Sequence, residues 1–298
     1  MKPVYHFDAI STYNGFNQHE TLHPLVSILD YSKASPRGQS KMHFDIYCIV
    51  LKEVKCGDLK YGRHNYDYQL GTLVFISPGQ VVEVENDGTL YQPMGHALAF
   101  HPDLIRGTPL ADNLGKYNFF GYHTSEALHL SERERQIVLD CFSKIQFELQ
   151  QSIDKHSKKL ITANIELFLN YCERFYDRQF ITRDHVNKGI LEKFNTLLNH
   201  YFSSSRPQEI GLPTVAYCAQ ELNLSVNYFG DVIKRETGKS AQEYIHNKII
   251  ELAKNQIFDV NKSINEVAYE LGFKYPQHFS RLFKQRTGKS PSAYRLLH

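Results

Sequence analysis

The chain has 298 residues, enough for two domains, and an apolar fraction of 42% supplies a core for each. The net charge of +2 names no partner, and five scattered cysteines without a Cys-x-x-Cys pair read as reduced thiols rather than a structural zinc site. The opening MKPVYHFDAI lacks an apolar run of signal-peptide length and IYCIVL (46–51) is too short to span a bilayer, so a cytoplasmic protein without a membrane partner is expected.

Residues 1–124 are rich in Tyr, His, Gly and short apolar runs. HFDIYCIVLKEV (43–54) and GTLVFISPGQVVEVEN (71–86) read as strands, the second broken by a Pro78-Gly79 turn. Turn residues recur at Gly57-Asp58, Gly62, Asn65, Gly71 and Asp87-Gly88, which predicts a small antiparallel sandwich or barrel.

Residues 125–187 change to helical periodicity. Ser131 and Glu134 form a capping box, and Val138, Phe142, Ile145, Leu149 and Ile153 follow as one apolar stripe. Ile161, Ile165, Phe168, Cys172 and Phe175 make a second stripe, so a helical hairpin is expected. Its stripes serve either packing within the chain or a partner helix, which makes Val138, Phe142, Ile145 and Leu149 candidate dimerisation residues.

Residues 188–298 open with the helix GILEKFNTLLNHYF, broken by SSSRPQ (203–208). This region holds 15 Lys and Arg against 10 Asp and Glu, a net +5, leaving −3 for the rest. After Glu270 no acidic residue remains, while Lys274, Arg281, Lys284, Arg286, Lys289 and Arg295 do.

The same region says nearly the same thing twice. Val215, Cys218, Ala219 and Leu222 share the i, i+3, i+4, i+7 spacing of Ile264, Val267, Ala268 and Leu271, one face of a short helix in each copy. Asn223 and Gly272 follow, residue types that accept a left-handed turn. Second helices near 225–236 and 275–287 bury Phe229, Val232 and Ile233 in one copy and Phe279, Leu282 and Phe283 in the other. Both copies end in Thr-Gly-Lys-Ser, with Gly238 and Gly288 suited to closing a helix. Each copy is thus a predicted helix-turn-helix unit. Its core, turn and caps stay fixed while the outward residues vary: Asn227, Tyr228, Gly230, Asp231 and Arg235, then Gln277, His278, Ser280, Arg281 and Gln285. Such groups read base edges in a major groove, and Lys234 and Lys284 suit phosphate. The 18 residues AQEYIHNKIIELAKNQIF between the units would make a strut of ~27 Å, compatible with two grooves ~34 Å apart.

INEVAYELGFKYPQHFSRLFKQRTGKSPSAYR resembles the C-terminal signature of the AraC/XylS family of bacterial transcription regulators, and YFGDVIKRETGKSAQEYIHNKIIELAK looks like that family's first unit and linker helix. The N-terminal part is similar to its cupin-like β-barrel, mainly through GTLVFISPGQV and HALAFHPDLI. The resemblance implies an α+β protein with a cupin-like effector-binding domain (1–124), a helical linker and dimerisation hairpin (125–187) and a double helix-turn-helix DNA-binding domain (188–298). It also implies double-stranded promoter DNA and RNA polymerase as partners, a homodimer, activation, and a small effector whose identity and binding residues stay unknown. By position Asn227, Gly230, Asp231, Gln277, His278 and Arg281 fall at base-reading places, and Ser225, Lys234, Lys284 and Lys289 are assigned to phosphate. Asp231 departs from the family's usual residues there and is expected to accept from a cytosine amino group.

Other readings have less to stand on. His43, helped by His64, His96 and His101, would suit a cupin metal, but the second place of its His-x-His is Asp45, so neither a metal nor another cofactor is expected. That loss also argues against the alternative, a cupin-type enzyme with a helical appendage. A helical protein–protein adaptor fits the acid-free tail poorly. Cys48 and Cys218 read as core and Cys56 as an exposed thiol, while Tyr47, Tyr61, Tyr66 and Tyr68 serve either ligand stacking or the barrel. No phosphate loop, nucleophile elbow or HExxH occurs, so no enzyme is expected.

Overall fold

A computed structural model describes residues 3–53, 71–84, 89–259 and 261–296. It divides into two compact units, Met1–Thr182 and Arg183–His298.

The first unit runs β1 (Val4–Phe7), α1 (Ile10–Phe16), β2 (Val26–Asp30), β3 (Ser40–Phe44), β4 (Tyr47–Lys52), β5 (Thr72–Ile76), β6 (Gln80–Val84), β7 (Gly95–Phe100), α2 (Pro102–Ile105), α3 (Pro109–Leu114), β8 (Leu128–His129), α4 (Glu132–Leu149) and α5 (Ser157–Thr182). The strands form two sheets, ordered β1-β3-β6 and β2-β7-β4-β5-β8. One core joins them: Phe7, Phe44, Val82 and Val84 from the first sheet meet Leu29, Cys48, Val74, Ile76, Ala97 and Ala99 from the second. Among the described residues no pairing links the sheets, so the cupin-like β-barrel expected from the sequence is not closed here. β1 also pairs with β3 in parallel, within an otherwise antiparallel arrangement.

The expected strand over 43–54 is two strands in different sheets. Phe44 ends β3, where its carbonyl accepts from Gly79 N at 2.7 Å, and Asp45 N donates to Phe7 O at 2.9 Å. The chain then crosses through fully buried Ile46 into β4. The Pro78-Gly79 turn does separate β5 from β6. The turn signals at Gly57-Asp58, Gly62, Asn65 and Asp87-Gly88, together with His64, Cys56, Tyr61, Tyr66 and Tyr68, lie outside the described residues.

The hairpin forms as α4 and α5. Glu134 N donates to Ser131 Oγ (3.3 Å) and Ser131 N to Glu134 Oε2 (2.8 Å), which completes the capping box. Arg178 of α5 donates to Glu134 Oε2 at 2.6 Å and to His129 O at 2.7 Å, fastening the start of α4 to α5. Val138, Phe142, Ile145 and Leu149 are buried, with α4 packed on α5 and β2 and the Phe142 and Phe168 rings 5.2 Å apart. Packing within the chain has thus taken the stripe marked for a partner helix. A subunit contact through this hairpin must use other side chains. Ile153 lies beyond the end of α4 and is exposed.

The second unit is helical: α6 (Asp184–Phe202), α7 (Arg206–Ile210), α8 (Val215–Glu221), α9 (Val226–Thr237), α10 (Ala241–Gln256), α11 (Ile264–Glu270), α12 (Pro276–Thr287) and α13 (Pro291–Arg295). A single core contains Phe194 and Leu198 of α6, Cys218 and Ala219 of α8, Phe229 and Ile233 of α9, Val267 and Ala268 of α11, and Phe279 and Phe283 of α12. Ile245, Ile249, Ile250 and Ala253 of α10 belong to the same core. The expected strut is therefore a central helix of 16 residues with one side buried, ~24 Å long, because Ile257 ends it.

Candidate nucleic-acid interface

The two helix pairs, α8–α9 and α11–α12, repeat down to single hydrogen bonds. After α8, Asn223 takes a φ of 57° and Leu224 N donates to Ala219 O at 2.9 Å. After α11, Gly272 takes 94° and Phe273 N donates to Ala268 O at the same 2.9 Å. Both second helices close with a left-handed glycine, Gly238 or Gly288, whose N–H donates 2.8 Å to Lys234 O or Lys284 O. Thr237 Oγ1 donates to Ile233 O at 2.7 Å and Thr287 Oγ1 to Phe283 O at 2.8 Å. The next helices start alike, with Glu243 N donating to Ser240 Oγ and Ala293 N to Ser290 Oγ, each at 3.2 Å.

The apolar sides of α9 and α12 point into the core, which fixes what faces out. Asn227, Gln277, His278 and Arg281 are exposed, as are Lys234, Arg235, Lys284, Gln285 and Lys289. Gly230 and Asp231 are half-buried. Two expected outward residues lie elsewhere. Tyr228 is buried, because its place on α9 turns it inward beside Phe229. Ser225, assigned to phosphate, is buried as the N-cap of α9, its Oγ accepting from Tyr228 N at 3.2 Å. Arg295 is also diverted from the basic tail, donating to Ile257 O and, at 2.8 Å, to Lys262 O, where it fastens the end of α10.

The sequence reading passed over Tyr275. This half-exposed aromatic precedes Pro276 at the start of α12, with its ring 5.5 Å from that of His278 and 5.8 Å from Lys274 Nζ. An aromatic next to a helix-starting proline and a lysine, in Lys274-Tyr275-Pro276, is the signal that marks it. Cys218 is a core thiol, pushed up to about 12 chiefly by burial.

The first unit has a separate cavity of about 80 Å³ between its sheets, lined in part by Tyr13, Tyr31, Arg37, Tyr91 and Met94. A water needs on the order of 10–15 Å³ on this scale, so a slim molecule fits. Tyr13 and Tyr31 share a hydroxyl–hydroxyl bond, and Cys48 Sγ donates to Tyr13 Oη at 3.2 Å. Burial pushes Cys48 up to about 12, so it is a neutral thiol. The Arg37 guanidinium lies 5.4 Å from the Tyr31 ring centre and 5.0 Å from that of Phe16. The sequence reading had named other tyrosines, and Tyr47 stacks on Phe100 at 4.8 Å. The histidines weighed and set aside as a cupin metal set are dispersed among the described residues: His43 is on β3, whereas His96 lies on β7 of the other sheet and His101 caps α2.

A family model described as "Helix-turn-helix domain" matches residues 218–296, from within α8 to the end of α13. The C-terminal unit carries an AraC-type helix-turn-helix domain. Among relatives of this chain is an uncharacterized HTH-type transcriptional regulator, YijO, of Escherichia coli K12, 24% identical over 58% of this chain and 58% of that protein. The chain thus spans less than two thirds of that relative's length. The HTH-type transcriptional activator RhaS of Salmonella schwarzengrund is 22% identical over 84% of each chain. Both are named as regulators of transcription, not as enzymes. Among solved structures, the C-terminal domain of AraT, a response regulator from Geobacillus stearothermophilus, is 28% identical, covering 37% of this chain and 85% of that one at a TM-score of 0.33. No helix of the described residues is long and apolar enough to cross a membrane.

Proposed function

We propose that the chain is a sequence-specific DNA-binding activator of transcription whose two helix-turn-helix units read successive major grooves of promoter DNA. The observation that carries this reading is the shared core: α9 and α12 bury their apolar sides in it and leave polar, cationic sides exposed. Asn227, Asp231, Gln277, His278 and Arg281 are the base-reading groups, and Gly230 lets the backbone approach. Lys234, Lys284 and Lys289 meet phosphates, with Ser225 serving the interface as the cap of α9. Residues 188–298 bind DNA, 1–124 regulate, and 125–187 join a homodimer through exposed hairpin positions. The cavity beside Tyr13, Tyr31 and Arg37 receives a small effector, and RNA polymerase is the downstream partner. Such a protein works in the cytoplasm.

A salt-titrated mobility shift on a mapped operator tests this reading. Affinity is expected to fall steeply, with a slope near −0.9 per phosphate neutralised. Lys284→Ala should reduce that slope by about 1 for any sequence, while Arg281→Ala should cost about 1–3 kcal/mol and relax preference at one base pair. A flat salt dependence favours the adaptor reading instead.

A further inference from the structure

β1 and β3 pair in parallel with His6 directly opposite His43. The following residues, Phe7 and Phe44, are buried in the core. Alternation along a strand therefore places both imidazoles on the outer face of the sheet. Asp45, two residues after His43, returns to that face. Its Oδ2 lies 2.7 Å from His6 Nε2 and its Oδ1 lies 3.6 Å from His43 Nδ1. The imidazole ring centres are 4.7 Å apart. One ligand-type atom from each of the three residues lies within 4.8 Å of the others.

We infer that His6, His43 and Asp45 form a binding site for a divalent transition metal, with Zn2+ the best-suited ion. Two imidazole nitrogens and one carboxylate oxygen are a donor set for Zn2+ and leave the fourth position to water. Magnesium and calcium prefer all-oxygen sites and are not served by it. Bonds of about 2.0–2.1 Å to a tetrahedral ion put neighbouring ligand atoms roughly 3.4 Å apart. The three groups are already near that spacing, and their side chains are 54%, 37% and 44% exposed, free to close the remainder by rotation. The next row of the face carries the pair Lys41–Glu83 at 3.3 Å, which holds that lysine away from the site.

The site lies outside the sandwich core and away from the tyrosine-lined cavity; of the histidines that the sequence had grouped it takes only His43, and it uses the Asp45 that the sequence had counted against a metal. A metal there would staple β1 to β3 by side chains as well as by backbone. β1 leads directly into α1, which carries Tyr13 of the cavity wall. The inference does not depend on the DNA-reading proposal.

The test uses the full chain, stripped with a chelator and titrated by calorimetry with Zn2+, with Mg2+ as the control. Wild type is expected to take up one Zn2+ and to unfold at a higher temperature with it. His6→Ala and His43→Ala should each weaken uptake at least ~10-fold and abolish the thermal gain, while His200→Ala, at an exposed place on α6, should change neither. Unfolding curves without metal check that the variants fold. Equal Zn2+ affinity in all four proteins, a loss in only one of the two β-strand variants, or no uptake beyond that of Mg2+ overturns the assignment.

Discussion

At position 272 the two repeats differ for a reason visible in atoms. Asn223 and Gly272 both sit in left-handed turns, and the second is hemmed in by backbone. A Cβ on Gly272 would come within 2.9 Å of Gly211 C and O and of Pro207 O, backbone atoms that cannot swing aside. Gly272→Ala is therefore expected to destabilise the helical unit by more than the about 1–2 kcal/mol of left-handed strain alone. Asn223→Ala replaces a residue that already has a Cβ and should cost less than that strain, and urea unfolding of the two variants compares them directly. Asp231 poses a different question, since a carboxylate near DNA repels phosphate unless a donor meets it. Asp231→Ala should tighten binding to scrambled DNA more than to the cognate site. An equal gain on both would identify plain repulsion. Residue types told the turn positions well, because few residues tolerate a positive φ. They told outwardness less well: Tyr228 and Ser225 are polar at their tips yet buried, and only the helix phase set by Phe229 and Val232 decides that.

Among elements, the caps were the most legible feature, because a Ser followed three residues later by Glu satisfies two backbone donors at once. The box at the start of α11 shows the pattern, with Ser263 N donating to Glu266 Oε2 at 2.7 Å and Glu266 N to Ser263 Oγ at 3.2 Å. Ser263→Ala should cost about 1 kcal/mol. The Ser263 N–H, followed by its hydroxyl, holds the Glu266 carboxyl below the usual carboxylate range. A lowered folded value means stability that is present above the unfolded value of about 4.3 and lost as pH falls through the folded one. The stability gap between wild type and Glu266→Ala should thus be full at neutral pH and close as the solution is taken below about pH 4. Strand elements were harder to delimit. HFDIYCIVL gave no sign that the chain changes sheets at Asp45 and Ile46, because a single polar residue at Asp45 fits the alternation of one continuous strand as well as it fits a crossing. The α4 stripe was read correctly as a buried face, but sequence alone did not decide between α5 and another molecule as its cover.

At the scale of the molecule, the helical unit behaves as one body because α8–α9 and α11–α12 share a single core built around α10. Ile249 is fully buried at its centre. Ile249→Ala is expected to cost about 2–5 kcal/mol and to raise amide exchange in both helix pairs together. Exchange confined to one pair would contradict a common core. The α+β division and the doubled helical pattern were legible from periodicity, whereas the choice between an open sandwich and a closed barrel was not, since closure depends on pairing between distant strands. The packing of α10 carries a last consequence. One residue inserted into it would rotate everything beyond by about 100° and swing Ile249 and Ala253 out of register with their neighbours. On the proposed reading, each half is free to drift in what it recognises while α10 freezes the gap between the halves, so new targets would have to share that rhythm.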